Sequence, residues 1–220
     1  MIHFHEVSKH YDNYTALRKI TFFIGKGEMV FITGPSGSGK STLMKLLYLA
    51  IQPDEGKITI FNWDTDTLKD SEIPLVRRHM GIIFQDFRLL PNRNVFENVA
   101  LTLRIRGIHD RDVKTRVYEA LKIVSLRHKA DSFPQSLSGG EQQRIAIARA
   151  IVCEPNIILA DEPTGNVDPD TSSGIIRTFK DINAKGATIL IATHDRELFR
   201  KTGRRVLKLD FGNFVGEDIG

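Results

Sequence analysis

The chain has a single cysteine, Cys153, in 220 residues, so no internal disulfide can form. That argues for a reducing compartment and against a small secreted scaffold stapled by disulfides. Beside Ile151 and Val152 the thiol reads as a small buried apolar group. No stretch approaches the roughly 18 consecutive apolar residues that cross a bilayer. The first residues, Met1-Ile-His-Phe-His-Glu-Val-Ser-Lys, carry charge where a signal peptide needs an apolar run. The expectation is a cytoplasmic protein without a membrane span. Internal repeats and low-complexity linkers are also absent. Charge of neither sign prevails, with 31 Lys and Arg against 27 Asp and Glu, a net of +4. Nucleic-acid or anionic-membrane binding needs such a surplus gathered on one face. The densest gathering is Arg200, Lys201, Arg204, Arg205 and Lys208, expected as a solvated or membrane-facing surface.

What is present fits a folded α/β protein. Hydrophobic residues at 41% and charged residues at 26% are near globular averages, and the length suits one large domain. Short β-branched and aromatic runs predict strands at Ile2 to Val7, Ile20 to Ile24, Met29 to Thr33, Ile58 to Phe61, Gly81 to Phe84, Ile157 to Ala160, Thr188 to Ala192 and Val206 to Leu209. Runs such as Val30 to Thr33 are apolar at every position, as strands of a doubly covered parallel sheet are. Val113, Val117, Leu121 and Val124 form one apolar stripe on a helix started by Asp110 or Asp112. Ile175, Ile176, Phe179 and Ile182 do the same on a helix entered through Asp168-Pro169-Asp170. Strands crowd both ends, whereas residues 86–153 read as almost wholly helical. The expected architecture is one domain, 1–220, with an α/β core at 1–85 and 154–220 interrupted by a helical subdomain at 86–153.

Gly34-Pro35-Ser36-Gly37-Ser38-Gly39-Lys40-Ser41-Thr42 matches G-x-x-x-x-G-K-[ST], a pattern that this composition produces by chance in about one sequence in a hundred. A strand precedes it and an apolar helical stretch follows. Glycines let successive N–H groups turn inward, and the helix adds its positive end, making a polyphosphate site. Lys40 would reach the β- and γ-phosphates, and the Ser41 hydroxyl would hold Mg²⁺. A nucleoside triphosphate is the implied ligand.

Asn156-Ile-Ile-Leu-Ala-Asp161-Glu162 predicts a buried strand ending in two carboxylates. Ligands of open α/β sheets sit at the carboxyl ends of strands. Asp161 therefore fits the Mg²⁺ shell, and Glu162 is placed to polarise the attacking water. Leu137-Ser138-Gly139-Gly140-Glu141 offers a second anion-binding helix end, with Ser138 able to cap the helix. One nucleotide per loop hardly needs two such ends, so the second is expected to serve a neighbouring copy's nucleotide.

These residues resemble the ATP-binding cassette (ABC) ATPases, whose signature is LSGGQ-like, and the resemblance covers essentially the whole chain. It implies a P-loop NTPase fold, a RecA-like core with an antiparallel edge sheet and the inserted helical subdomain. It further implies ATP and Mg²⁺ as ligands. By that resemblance Tyr11 would stack on adenine, and Gln85 would touch Mg²⁺ and the attacking water. Asp168, in Gly165-Asn-Val-Asp, would cross to the partner, and His194 would contact the γ-phosphate. Ser138 and Gly140, with Gly139 and Glu141 of the same motif, would grip the nucleotide bound to a second copy. Val167 stands where the family more often has leucine.

Two composite sites imply a two-fold dimer, closed by ATP and opened by hydrolysis. Phe87-Arg-Leu-Leu90 places apolar and basic groups where, in the resembling family, a membrane subunit docks. Gly81 to Pro91, Val95 to Ala100 and Ala160 to Pro169 resemble the group containing lipoprotein-release, macrolide-efflux and cell-division ATPases. Phe84-Gln-Asp-Phe-Arg-Leu-Leu and Ile182 to His194 are most similar to its cell-division branch. The implied partner is a permease-like transmembrane subunit, and the implied location is the cytoplasmic face of the bacterial inner membrane, at the septum. A lipoprotein-release or macrolide-efflux ATPase is the alternative. A soluble cassette acting on nucleic acid or ribosomes fits less well, because the short stretch between Gln85 and Ser138 has no heptad array and there is one P-loop.

Overall fold

The computed structural model describes residues 1–200 and 202–220; Lys201 of the basic cluster lies outside them. The described residues form two sheets and six α-helices. The first sheet is antiparallel, in the order β2-β1-β4-β5, built from β1 (Ile2–Tyr11), β2 (Tyr14–Ile24), β4 (Glu55–Ile60) and β5 (Trp63–Asp64). The second runs β10-β9-β3-β8-β7-β6. Its members are β3 (Met29–Thr33), β6 (Met80–Ile83), β7 (Ile157–Asp161), β8 (Thr188–Ala192), β9 (Arg205–Asp210) and β10 (Asn213–Ile219). All its pairs are parallel except β10 on β9. β3 and β8 are buried at every position, as expected of strands covered on both faces.

Helices α1 (Lys40–Leu47), α2 (Ile73–Arg77) and α6 (Pro169–Ala184) belong with the strands. Helices α3 (Val95–Ile105), α4 (Asp110–Ile123) and α5 (Gly139–Ile151) occupy the stretch between β6 and β7. Val113, Val117 and Leu121 of α4 and Ile175, Ile176, Phe179 and Ile182 of α6 are buried, as their periodicity predicts. Asn94 starts α3 with a reciprocal cap, accepting from the Glu97 N–H at 2.8 Å while Glu97 accepts from the Asn94 N–H at 3.0 Å.

The mixed α/β architecture expected from the motifs is the one observed, with differences in the strands. β1 and β2 continue past Val7 and before Ile20 to meet at the turn after Tyr11. Polar Ser8, Lys9 and His10 hide this extension, and bulges shift the register between Phe4 and Val7, where Glu6 has φ 49°. β10 was not foreseen because Asn213–Ile219 holds no apolar run; charge fastens it instead. Arg205 on β9 donates to both carboxylate oxygens of Glu217 and to Glu28, and Lys208 pairs with Asp218 at 2.9 Å. Arg200 pairs with Glu197 at 3.3 Å. Of the expected basic surface, Arg200, Arg205 and Lys208 thus each face a neighbouring acid.

Candidate functional site

β3 ends at Thr33 and α1 begins at Lys40, so Gly34 to Gly39 form the connecting loop. Gly39 occupies the helix N-cap at φ 104° without a side-chain cap, leaving the first-turn N–H groups to a ligand. A Cβ on Gly39 would sit 2.6 Å from the Ala16 carbonyl oxygen and 2.7 Å from a Leu17 methyl. Pro35, Ser36 and Gly37 are exposed, whereas Lys40 is buried. The Lys40 ammonium donates to the carbonyls of Gly34 at 2.8 Å and Pro35 at 3.1 Å. Among the described residues no carboxylate pairs with it, so its charge stands available to an anion.

At the end of β7 the burial of Asp161 raises its carboxyl above the usual carboxylate range; a hydrogen bond from Ser41 opposes this, and the Glu162 charge adds to it. Its Oδ1 is buried with no hydrogen-bond partner, as is the Ser38 hydroxyl on the loop. Two orphaned oxygens, one on the loop and one on a carboxylate influenced by Ser41 and Lys40, are oxygen donors of the kind that a phosphate-bound divalent cation takes. The residues therefore fit Mg²⁺ with a polyphosphate.

Glu162 follows directly, at φ 47°. Its N–H donates to the Ala192 carbonyl at 2.9 Å, tying it to the end of β8. There Nδ1 of His194 lies 2.9 Å from Glu162 Oε1; the carboxylate is largely enclosed and the imidazole exposed. β7 and β8 are adjacent parallel strands, which is why residues so distant in sequence meet at one sheet edge.

Gln85 is exposed just beyond β6. Its carbonyl accepts from the Asn166 side-chain amide at 3.1 Å. Asn166 carries no sequence signal for this role, because a bond to a backbone carbonyl leaves no residue-type signature. Asp168 caps α6, accepting from the Thr171 N–H at 2.9 Å and from the Thr171 hydroxyl at 2.6 Å; these bonds hold its carboxyl below the usual range. Tyr11 stacks on Tyr14 with ring centroids 5.5 Å apart. Tyr14 was not singled out, although it is the larger exposed ring of the pair.

Ser138 caps α5 as expected. Its hydroxyl accepts from the Glu141 N–H at 3.2 Å, and Glu141 accepts from the Ser138 N–H at 2.9 Å. That N–H, aided by Lys129 at 3.5 Å, holds the Glu141 carboxyl below its usual range. Gly139 and Gly140 pack against Asn166 and Thr171: added Cβ atoms would meet the Asn166 carbonyl oxygen at 3.1 Å and a Thr171 methyl at 2.8 Å. Among the described residues no hydrogen bond joins Ser138 to Glu141 with the 34–42 loop. One copy thus brings Asp161, beside Lys40 and Ser41 of the loop, together with Glu162 and His194. The Ser138 helix end packs through Gly139 and Gly140 on Asn166 and Thr171, and Asn166 in turn bonds Gln85.

The family described as ABC transporter matches residues 17–165. The chain is 48% identical over 219 residues to the cell division ATP-binding protein FtsE of Bacillus subtilis (strain 168), covering 99% of this chain and 96% of the relative. It is 48% identical over 217 residues to FtsE of Escherichia coli (strain K12), with 98% of each covered. Its fold superimposes with a TM-score of 0.92 and 37% identity on a dimeric ATP-binding cassette in a post-hydrolysis state bound to ADP and Pi, covering 100% of this chain and 98% of that one.

Proposed function

The chain belongs to the ABC transporter family as an ATPase subunit, and from that premise we propose that it drives a cell-division complex at the bacterial membrane. The observation that carries the catalytic reading is the Glu162–His194 contact at 2.9 Å, standing beside the unpartnered Asp161 oxygen and the uncapped end of α1. In this reading the loop from Gly34 through Thr42 holds the triphosphate and Lys40 faces its β- and γ-oxygens. Ser41, Asp161 and Gln85 hold Mg²⁺, which supplies charge neutralisation between the phosphates. Glu162 takes the proton of the attacking water, His194 orients Glu162 and meets the γ-phosphate, and Tyr11 stacks on the base.

The second helix end, at Ser138, Gly139, Gly140 and Glu141, serves the nucleotide of another copy in a two-fold dimer, with Asp168 at the crossing. Among the described residues no hydrogen bond joins it to the 34–42 loop of its own copy, which is the observation behind this division of labour. Residues 86–153 act as a helical subdomain that moves against the core formed by 1–85 and 154–220. The moving part is read by a permease-like transmembrane subunit of the FtsX kind. No helix among the described residues is long and apolar enough to cross a membrane, in keeping with a peripheral subunit on the cytoplasmic face, at the septum, where the shape change regulates cell-wall hydrolysis. Specific nucleic acid is not part of this reading.

The test is capture from detergent-solubilised membranes by the full chain with ATP. Recovery of a permease-like partner supports the proposal; recovery of a lipoprotein-handling complex overturns the cell-division assignment.

A further inference from the structure

Immediately after Gln85 the backbone turns through two consecutive non-glycine residues in the left-handed region, Phe87 at φ 56° and Arg88 at φ 48°. Side chains rarely adopt this conformation, and two in succession persist only where the surroundings over-determine them. Arg88 itself pairs with Asp86 at 3.1 Å and lies over the Phe84 ring at 3.9 Å, and a second guanidinium grips the backbone of the turn. Arg149, near the end of α5, donates to the carbonyl of Phe87 at 2.7 Å and to that of Arg88 at 2.5 Å.

Arg149 has no carboxylate partner among the described residues. Burial, with the Arg88 charge nearby, makes it less basic than an ordinary arginine. A buried cation spent on two neutral carbonyls is costly unless the geometry it fixes matters. The fork of the guanidinium suits two adjacent acceptors, which a lysine ammonium would not span in one plane.

The other end of the same helix touches the same turn: the Phe87 ring reaches to 3.9 Å from where a Cβ on Gly139 would lie. Phe87 therefore lies along α5 between its capped start and Arg149, about 15 Å of helix apart. A few residues on, buried Asn98 accepts from the Leu90 N–H at 2.7 Å and donates to the carbonyls of Leu90, Arg93 and Asn94.

We propose that Arg149 is a positioning residue that locks the turn after Gln85 onto α5, so that motion of the Ser138 helix end is passed through residues 87 and 88 to Gln85 at the edge of the core. This rests on the reading of Gln85 as part of the nucleotide site. Among the described residues the Arg149 side chain makes no hydrogen bond to the 34–42 loop or to Asp161, so its effect falls on the chemical step and not on nucleotide affinity.

The experiment uses the full chain and three variants: Arg149→Met, which keeps the apolar stem; Arg88→Gly, which relieves one left-handed residue; and the double variant. Hydrogen exchange and ATP hydrolysis are both read. In Arg149→Met, amides of 87–90 are expected to exchange at least about tenfold faster while α5 keeps its protection. kcat is expected to fall at least about fivefold, with half-saturating ATP within about twofold. Arg88→Gly in the Arg149→Met background is expected to recover most of that kcat, because glycine adopts the left-handed turn without a clamp.

Unchanged exchange at 87–90 would overturn the proposal. So would equal loss of protection along α5, which signals plain structural support, or a kcat that Arg88→Gly fails to recover. A parent chain that binds no ATP would sink the functional reading while leaving the exchange result to judge the clamp, so the two failures are distinguishable.

Discussion

Glu162 and His194 meet at 2.9 Å because each lies just past the end of one of two adjacent parallel strands. The carboxylate is enclosed and the imidazole is not, so the imidazole can swing while the base stays put. Glu162 is also held at φ 47° by its N–H bond to Ala192.

Glu162→Gln keeps the shape and the hydrogen bond to His194 but removes the proton acceptor. Hydrolysis is expected to fall about 10²- to 10⁴-fold, the usual worth of a general base, with ATP affinity retained. Because γ-phosphate contacts then persist, the variant is expected to sediment as a dimer with ATP and as a monomer without it. A monomer under both conditions would defeat the shared-site reading.

Gly39 and Gly37 separate steric from conformational demand on the loop. Both have positive φ, 104° and 77°. A Cβ at 39 meets the Ala16 carbonyl and Leu17, whereas one at 37 meets nothing within 4 Å. Gly37→Ala is expected to cost about 1–2 kcal/mol, the strain of one left-handed residue. Gly39→Ala adds a backbone collision, so its loss should exceed that figure and abolish nucleotide binding. Thermal unfolding with and without ATP measures both.

How much of this was legible in the sequence depends on where each interaction is written. The loop and the β7 carboxylates are local strings, with spacing set by one turn of backbone, and they were read directly. So was the Ser138 cap, since serine three residues before glutamate is a local signal. β10 was not, because Arg205–Glu217 and Lys208–Asp218 pair across a hairpin in a segment with no apolar period. Asn166, Asn98 and Arg149 were missed for a different reason: each bonds backbone carbonyls, which every residue type carries.

Glu217→Gln tests what fastens β10. Arg205 holds the Glu217 carboxyl below its usual range. A lowered folded value means that the contribution is present above the ordinary glutamate pKa and is lost as pH falls through the folded one. The pair is partly exposed, so at neutral pH the variant is expected to lose at most about 1 kcal/mol. The difference from the parent should vanish in acid and shrink in high salt. Denaturant titrations at neutral and acid pH read this directly; a difference that persists in acid would mean that the ion pair is not what holds the strand.

Asp161→Asn sets function against stability at one oxygen. Burial raises the Asp161 carboxyl above its ordinary value. Between the ordinary value and the raised one, the folded chain binds more protons than the unfolded chain, so stability declines as pH rises through that window and stays lower above it. Asparagine removes the charge that burial penalises, at nearly equal volume. The nucleotide-free variant is therefore expected to be about 1 kcal/mol more stable at neutral pH and to lose that part of the pH slope. The same change removes one of the three groups proposed to hold the cation, so the Mg²⁺ dependence of ATP affinity should weaken in the variant. Unfolding midpoints across pH, with ATP titrations run with and without Mg²⁺, measure both halves. A variant that is destabilised at neutral pH, or whose Mg²⁺ dependence is unchanged, would show that the unpartnered Oδ1 is not the group around which the site is built.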